Sequence, residues 1–169
     1  MNNKETIKGK KIPKCFFNKN VLLLFGIPAF IFILDRIFKN IVFNGFSNSN
    51  ILLRIHYVIN TGVSWGLFKG NSSLMLWLSI IIIGVLIYFY NEITSIKDAK
   101  LGLNLIIIGA ISNILDRIFF GHVIDYIDFS FFPVFNLGDA CITLGAVCII
   151  LVYVFDDRKT NKLKNISKK

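Results

Sequence analysis

The side chains in this sequence that could do chemistry are carboxylates. The two histidines, His56 and His122, lie far apart, and no C-x-x-C or H-E-x-x-H motif occurs, so the sequence predicts no metal site. The G-x-S-x-G elbow of serine hydrolases is also missing. Half of the ten acidic residues are expected on the cytoplasmic side. The others are expected together on the outer side: Asp35, Asp116, Asp125, Asp128 and Asp139.

Amide and cationic side chains are expected beside these five acids. The tripeptide Asn60-Thr61-Gly62 lies in the first outer loop, Asn113 and Arg117 flank Asp116, and Asn136 precedes Asp139 by three residues. Asn136 is also well placed to cap the last helix. An ionisable group at membrane depth costs about 2.5–3.5 kcal/mol on insertion scales. Such a cluster therefore favours catalysis or polar-ligand binding over interfacial anchoring alone.

The elements that must position these side chains are apolar. The chain is 54% hydrophobic and 17% charged, which excludes a water-soluble globule. Residues 70–91 carry no charge and, as a helix, can cross about 30 Å of hydrocarbon. Residues 21–34, 101–115 and 140–155 are nearly as apolar, with ionisable residues at their ends. Backbone amides in lipid must be satisfied internally, so we predict an all-α membrane protein with four transmembrane helices.

The distribution of positive charge predicts the orientation. Fourteen of the nineteen Lys and Arg residues lie before the first span, between the second and third, or after the fourth. We therefore expect both termini in the cytoplasm and the five acids at the extracytoplasmic face of the cytoplasmic membrane. The chain divides into a basic tail (1–20), a membrane domain (21–155) and a second basic tail (156–169). Topology and anionic lipid explain these tails better than nucleic acid does.

The outer loops and span ends carry further patterns. Alternation in residues 54–68 predicts short strands that form a platform at the membrane surface. We expect Asp125 on an outer extension of the third helix, with Asp128 one helical turn further. The hexapeptide Ile-Leu-Asp-Arg-Ile-Phe occurs at 33–38 and at 114–119, which we interpret as coincidence rather than duplication. Adjacent Asp and Arg side chains do not face each other on a helix, so those within each copy need other partners. One alternative is crossed pairing, in which the Arg of one copy pairs with the Asp of the other.

Five motifs in order carry a resemblance to a known family. They are Asp35-x-x-x-Lys39, Asn60-Thr61-Gly62, Gly109-x-x-x-Asn113-x-x-Asp116-Arg117, the segment 121–129 around Asp125, and the segment 135–139 ending at Asp139. Together they resemble the lipoprotein signal peptidases, also called type II signal peptidases, from about residue 21 to residue 155. Each motif alone is weak, but all five fall on the expected outer side.

The resemblance implies an aspartyl endopeptidase that cuts prolipoprotein signal peptides just before a diacylglyceryl-modified cysteine. Asp125 and Asp139 match the two catalytic aspartates. The residues that match positions around this dyad and the substrate are Asn60, Asn113, Arg117 and Asn136. Those that match supporting positions are Asp35, Lys39, Gly62, Gly109 and Asp116, and Asp128 is not carried over as essential. We expect a monomer that contacts membrane lipid and uses no metal or other cofactor.

Three departures from the family's usual residues concern the shape of the cleft. Gly138 replaces the usual alanine before the second aspartate, and Ser112 replaces the glycine before Asn113. Val63, Ser64 and Trp65 replace the usual Ala-Ala-Phe. These exchanges involve small or aromatic residues. They affect the fit of the substrate more than the chemistry.

Two alternative functions fit parts of the pattern. Asn136-Leu137-Gly138-Asp139 is similar to the G-x-G-D signature of another intramembrane protease class, but its first glycine is missing. A non-enzymatic transporter or scaffold could also carry acids. Against it, the chain has no paired discontinuous spans, and residues 74–90 contain no polar path for water.

Overall fold

The computed structural model describes residues 22–50, 52–62, 70–95 and 99–166, with side chains through residue 155. Two segments discussed above lie outside the described residues. They are the basic tail at 1–20 and residues 63–69, which include Val63, Ser64 and Trp65. The predicted division into tails and a membrane domain therefore stays a prediction. The backbone of the last helix runs without a break from the predicted membrane domain into the second tail, ending at Ile166.

In the described part of the chain, each of the four apolar stretches contains a helix. A π-helical turn at Leu22–Gly26 leads into α1 (Ile27–Phe43), and α2 (Ser72–Tyr88) is followed by a short α3 (Tyr90–Ile93). The remaining two helices are α4 (Ala99–Phe120) and α5 (Leu137–Ile166). Within the described residues, Ala99–Phe120 and Leu137–Phe155 are long and apolar enough to cross a membrane, and Ser72–Tyr88 is apolar but shorter.

The described residues are mostly helical, and they also contain a small antiparallel sheet of three strands. Its strands are β1 (Asn48–Ser49), β2 (Arg54–Asn60) and β3 (Val123–Asp128), in the order β1-β2-β3. The predicted strands in residues 54–68 correspond to β2. The pairing of β2 with β3 is irregular between Ile55 and Val58, and Val58 lies opposite Asp125.

The predicted helical location of Asp125 is wrong, because α4 ends at Phe120 and Asp125 lies on β3. Gly121 stops the helix: its φ of +74° is a left-handed conformation that glycine adopts at little cost. The β-branched residues Val123 and Ile124 then favour a strand. Asp128 is consequently not one helical turn from Asp125. In a strand, residues three apart point to opposite faces, and Asp128 pairs with Arg54 at 2.8 Å.

Glycines bring α4 and α5 into close contact at two levels. A Cβ on Gly102 would lie 2.7 Å from the carbonyl oxygen of Gly145, and a Cβ on Gly145 would collide with the carbonyl oxygen of Gly102. Gly109 and Gly138 repeat the arrangement seven residues along each helix. Small residues allow this backbone approach, which drives helix association in lipid. Gly109 thus lies where the backbones of α4 and α5 approach each other most closely, next to Gly138 and Cys141.

A buried ion cluster joins α1 to α4. We use this name for Asp35, Arg36 and Lys39 of α1 with Asp116 of α4. Lys39 Nζ contacts Asp35 Oδ2 at 2.9 Å and Asp116 Oδ2 at 2.7 Å, while Arg36 Nη1 contacts Asp116 Oδ1 at 2.5 Å. The crossed pairing between the two hexapeptides therefore exists for Arg36 and Asp116. Removing one partner of such a buried pair typically costs about 3–5 kcal/mol.

The sheet docks on this cluster through β3. The backbone N–H of Ile124 donates to Asp116 Oδ2 at 3.1 Å, and the hydroxyl of Tyr126 donates to Asp35 Oδ1 at 2.9 Å. Val42 of α1 packs against Ile124 and Tyr126 in a common core. Tyr126 also accepts the backbone N–H of Leu137 at 3.3 Å. One tyrosine thus connects α1, β3 and the first residue of α5.

We expect Gly145→Ala to destabilise the protein by about 1–3 kcal/mol, because the new methyl group must push α4 and α5 apart. The control is Gly84→Ala in α2, where a Cβ meets no atom within 4 Å. That change should stabilise the helix by about 0.4–1 kcal/mol. Thermal unfolding in detergent measures both. Equal stability of the two variants would show that the close approach of α4 and α5 does not hold the helices together.

Candidate active site

Asp125 lies near the middle of β3, and its side chain is only 2% exposed. Its two carboxylate oxygens accept hydrogen bonds from two amides. Asn136 Nδ2 donates to Oδ1 at 2.7 Å, and Asn60 Nδ2, at the end of β2, donates to Oδ2 at 2.8 Å. Because both amides come from other elements, the carboxylate plane is held from two sides.

Asp139 lies in the first turn of α5, where the helix start determines its position. The side-chain oxygen of Asn136 accepts the backbone N–H of Asp139 at 2.9 Å, and Asp139 Oδ2 accepts the backbone N–H of Asn136 at 3.3 Å. These reciprocal bonds form a capping box. Asn136 is therefore the N-cap of α5, as the sequence predicted. Asp139 Oδ1 accepts Asn113 Nδ2 from α4 at 2.8 Å.

Asn136 is the residue that brings the two acids together. It is fully buried, and it bonds to Asp125 through its amide nitrogen and to Asp139 through its backbone N–H and amide oxygen. The two carboxyl groups therefore share Asn136 as a neighbour, and the charge of Asp139 acts on Asp125. Two acids in this arrangement can share a proton, as in general acid–base catalysis by a carboxyl pair.

The environment raises the pKa of Asp125 to about 7. Burial is the main cause, because it disfavours the charged form, and the negative charge of Asp139 adds to it. Hydrogen bonds from Asn60 and Asn136 and the positive charge of Lys39 act in the opposite direction. Near neutral pH the carboxyl group of Asp125 is thus divided between its protonated and ionised forms.

A cavity of about 220 Å³ opens beside Asp139. Its lining combines polar groups with aliphatic side chains, most of them from α2, α4 and α5. The residues that line it are Asn60, Gly62, Met75, Leu78, Ser79, Ile82, Ala110, Asn113, Arg117, Val123, Asp139 and Ile142. A space of this size can hold a side chain and a short length of peptide backbone.

Arg117 lines this cavity and is bound to the segment that follows β2. Its Nη2 donates to the carbonyl oxygen of Gly62 at 3.2 Å, and Gly62 N–H donates to Asn60 Oδ1 at 3.0 Å. Among the described residues, the buried Nε of Arg117 has no hydrogen-bond partner. A buried donor without an acceptor costs about 1–3 kcal/mol.

The surroundings of Ser112 and Gly138 show how two departures from the family's usual residues fit into the structure. Ser112 Oγ donates to Asp35 Oδ2 at 2.5 Å, a bond that glycine cannot make. At Gly138, a Cβ would lie 2.9 Å from the carbonyl oxygen of Gly109 and 3.0 Å from Asn136 Oδ1. Gly138 therefore leaves room both for the close approach of the helices and for the capping amide.

The structure brings most of the predicted residues into one region. The residues around the two acids are Asn60, Asn113, Arg117 and Asn136, and those of the supporting shell are Asp35, Lys39, Gly62, Gly109 and Asp116. Asp128 lies apart on the opposite face of β3. Sequence reasoning missed Tyr126 and Arg36 as members of the shell. An alternating strand pattern around Asp125 was the one signal that could have indicated a buried Tyr126. Among the described residues, no three His, Cys, Asp or Glu side chains form a group suited to a metal ion.

The chain is similar to proteins of one family over most of its length. Residues 27–155 match the family model of signal peptidase (SPase) II. The chain is 31% identical over 143 residues to the lipoprotein signal peptidase of Halothermothrix orenii, covering 81% of this chain and 98% of the relative. It is also 31% identical to the lipoprotein signal peptidase of Staphylococcus aureus strain Newman, covering 89% and 98%.

A solved structure of a bacterial membrane enzyme has the same fold. The two superpose with a TM-score of 0.72 at 29% sequence identity, covering 83% of this chain and 91% of the other. The family match spans the helices, the sheet and both buried acids. The chain therefore belongs to the signal peptidase II family.

Proposed function

We propose that Asp125 and Asp139 are the catalytic dyad of this peptidase and that its substrates carry diacylglycerol on the cysteine after the cut. The chain is an aspartic-type signal peptidase that removes signal peptides from prolipoproteins. The observation that carries the choice of dyad is the shared neighbour. Asn136 bonds to both carboxyl groups, and each group accepts further amide donors.

The reaction needs a dyad with one proton. The ionised carboxylate accepts a proton from a water molecule as the water oxygen attacks the scissile carbonyl carbon. The protonated carboxyl group donates its proton to the carbonyl oxygen, which gives a neutral tetrahedral diol. Collapse of the diol breaks the C–N bond. The protonated carboxyl group donates its proton to the leaving nitrogen while the ionised carboxylate accepts the proton of one diol hydroxyl, so the dyad again holds one proton. No covalent bond to the enzyme forms.

The lining of the cavity suggests how the peptide is held. Asn60 and Arg117 both line this space, where polar side chains can hydrogen-bond to the backbone of the substrate peptide. The aliphatic wall formed by Met75, Leu78 and Ile82 accepts apolar side chains. Holding the scissile bond between these walls replaces a chance encounter with a fixed orientation, which can supply a large part of the rate enhancement.

The dyad lies at the extracytoplasmic face in this proposal. Four helices span the cytoplasmic membrane, both termini are cytoplasmic, and the protein acts as a monomer. The asymmetry of Lys and Arg between the loops supports this orientation. The exposed rings of Phe131 and Phe132, in the loop after β3, suit the boundary between lipid and water. Diacylglycerol then stays in hydrocarbon while the peptide bond reaches the dyad.

Asp125→Asn and Asp139→Asn are each expected to reduce cleavage of a diacylglyceryl prolipoprotein by at least about 10³-fold, because the pair loses its proton transfer. Asp128→Asn is the control, since Asp128 pairs with Arg54 away from the dyad. It should keep most of the activity. Cleavage assays are read against thermal unfolding of each variant. If Asp128→Asn abolished cleavage and Asp125→Asn did not, the dyad would consist of different residues.

Cleavage should decline as the pH rises through about 7, because Asp125 then loses the proton that the dyad must hold. The stability of the folded state should also depend on the ionisation of Asp125. Asp125 has its folded pKa raised above the ordinary 3.8, so the folded state binds more protons and stability falls as the pH rises between about 4 and 7.

Asp139→Asn removes the negative charge beside Asp125 and should lower the pKa of Asp125, although burial keeps it above 3.8. Infrared titration of the carboxyl band measures this shift. Asp128→Asn, which leaves both members of the dyad in place, should leave the band unchanged. An unaltered pKa in Asp139→Asn would mean that the two acids do not act as a pair.

We expect cleavage to require lipidation of the substrate cysteine. Apolar tails in the bilayer contribute about 0.8 kcal/mol per methylene, enough to fix the scissile bond at the depth of the dyad. Two peptides, identical except for diacylglycerol on the cysteine, are assayed with purified enzyme in detergent. Only the lipidated peptide should be cut. Equal rates would show that the enzyme recognises the peptide alone.

A further inference from the structure

Lys39 uses all three of its ammonium protons, and only two of them go to acids. The side chain is 1% exposed. It donates to Asp35 Oδ2 and Asp116 Oδ2, and its third short contact is with the amide oxygen of Asn113 at 3.1 Å. The hydroxyl of Ser112 lies further away, at 3.4 Å. The ion cluster thus has one bond that leads out of it towards the dyad.

That bond determines which way the amide of Asn113 faces. An ammonium group can only donate, so it binds the oxygen of the amide and not its NH₂ group. The NH₂ group then points to Asp139 Oδ1, 2.8 Å away. In the flipped orientation the NH₂ group would face an ammonium and the oxygen would face a carboxyl group, so both contacts would be lost. Lys39 therefore selects one of two orientations for Asn113.

We propose that Lys39 is a positioning residue for catalysis, which acts through Asn113 on Asp139. This inference rests on the proposed role of Asp139 in the dyad. Asp139 Oδ2 has a longer bond to the backbone N–H of Asn136, at 3.3 Å. The hydrogen bond from the amide of Asn113 is thus the shorter of the two that hold the Asp139 carboxyl group. Without Lys39 this group loses its fixed rotation relative to Asp125.

Arg36 provides a matched comparison within the same cluster. It contacts Asp116 Oδ1 at 2.5 Å and the backbone oxygen of Ser112 at 3.4 Å. It is thus a second cation of α1 on the same carboxylate, but the structure gives it no bond to Asn113. Loss of Arg36 disturbs the cluster without releasing the amide. A purely structural role of Lys39 would therefore resemble the role of Arg36.

The test is a double-mutant cycle on kcat and KM with a lipidated peptide. Lys39→Met should lower kcat about 10- to 100-fold, as expected for misplacement of a catalytic group. KM should change less than about threefold, because Lys39 does not line the cavity that holds the peptide. In an Asn113→Ala background, Lys39→Met should lower kcat less than about twofold further, because its link to Asp139 is already missing.

Arg36→Met is measured in the same two backgrounds. It should change kcat by the same factor whether Asn113 is present or replaced by alanine, which is the behaviour of an independent site. The inference is overturned if Lys39→Met also acts equally in both backgrounds, or if it leaves kcat unchanged. A parallel assay of Asp139→Asn separates the two hypotheses. If that variant cleaves normally, the proposed dyad is wrong, whereas an inactive variant with an additive cycle rejects only the role of Lys39.

A variant that restores the charge balance covers the case in which Lys39→Met does not fold. Removing Lys39 leaves the cluster with an uncompensated carboxylate, which Asp35→Asn neutralises. The amide oxygen that this substitution introduces can still accept the hydroxyl of Tyr126. The cycle then compares Asp35→Asn with Asp35→Asn plus Lys39→Met, with and without Asn113→Ala. The expected result is again a loss of kcat that depends on Asn113. A loss independent of Asn113 rejects the inference.

Discussion

Burial of the Lys39 ammonium between two carboxylates is the interaction on which the arrangement of this protein depends. An isolated charge in a low-dielectric interior is strongly unfavourable, so Lys39, Asp35 and Asp116 must stay together. Since these residues belong to α1 and α4, the pairing fixes how the two helices meet. The carboxylates also bind β3, through Ile124 N–H and the hydroxyl of Tyr126. The sheet is consequently attached to the same charges as the helices.

The start of α5 connects this frame to the chemistry. Helix ends leave backbone N–H groups without partners, and here a capping box satisfies two of them. The acid of that box is Asp139, and the capping residue Asn136 also binds Asp125. One local motif thus begins the helix and joins the two acids of the proposed dyad. Because the same residue serves both purposes, a change at Asn136 should affect the start of α5 and the position of both acids together.

Small residues make the site compact. Gly109 and Gly138 let α4 approach α5 so closely that Asn113 reaches Asp139 across the interface. The cavity lies on the other side of this contact, between α4, α5 and α2. Ser112 and Gly138 differ from the residues usual in the family, yet each is compatible with its surroundings. Ser112 adds a bond to the ion cluster, and Gly138 leaves space for two amides.

The sequence by itself determined the helices, the strand β2, the cap at Asn136 and the gathering of acids and amides. These depend on local periodicity, on the helix-start signal and on the segregation of charge, all of which can be read along the chain. Only the tertiary structure decided that Asp125 lies on a strand, that Asp128 faces away from Asp139, and that Tyr126 and Arg36 belong to the supporting shell. The physical reason is that a buried polar side chain takes its partner from another element. Lys39 and Asn113, for example, are 74 residues apart, so the contact exists only once the helices have packed.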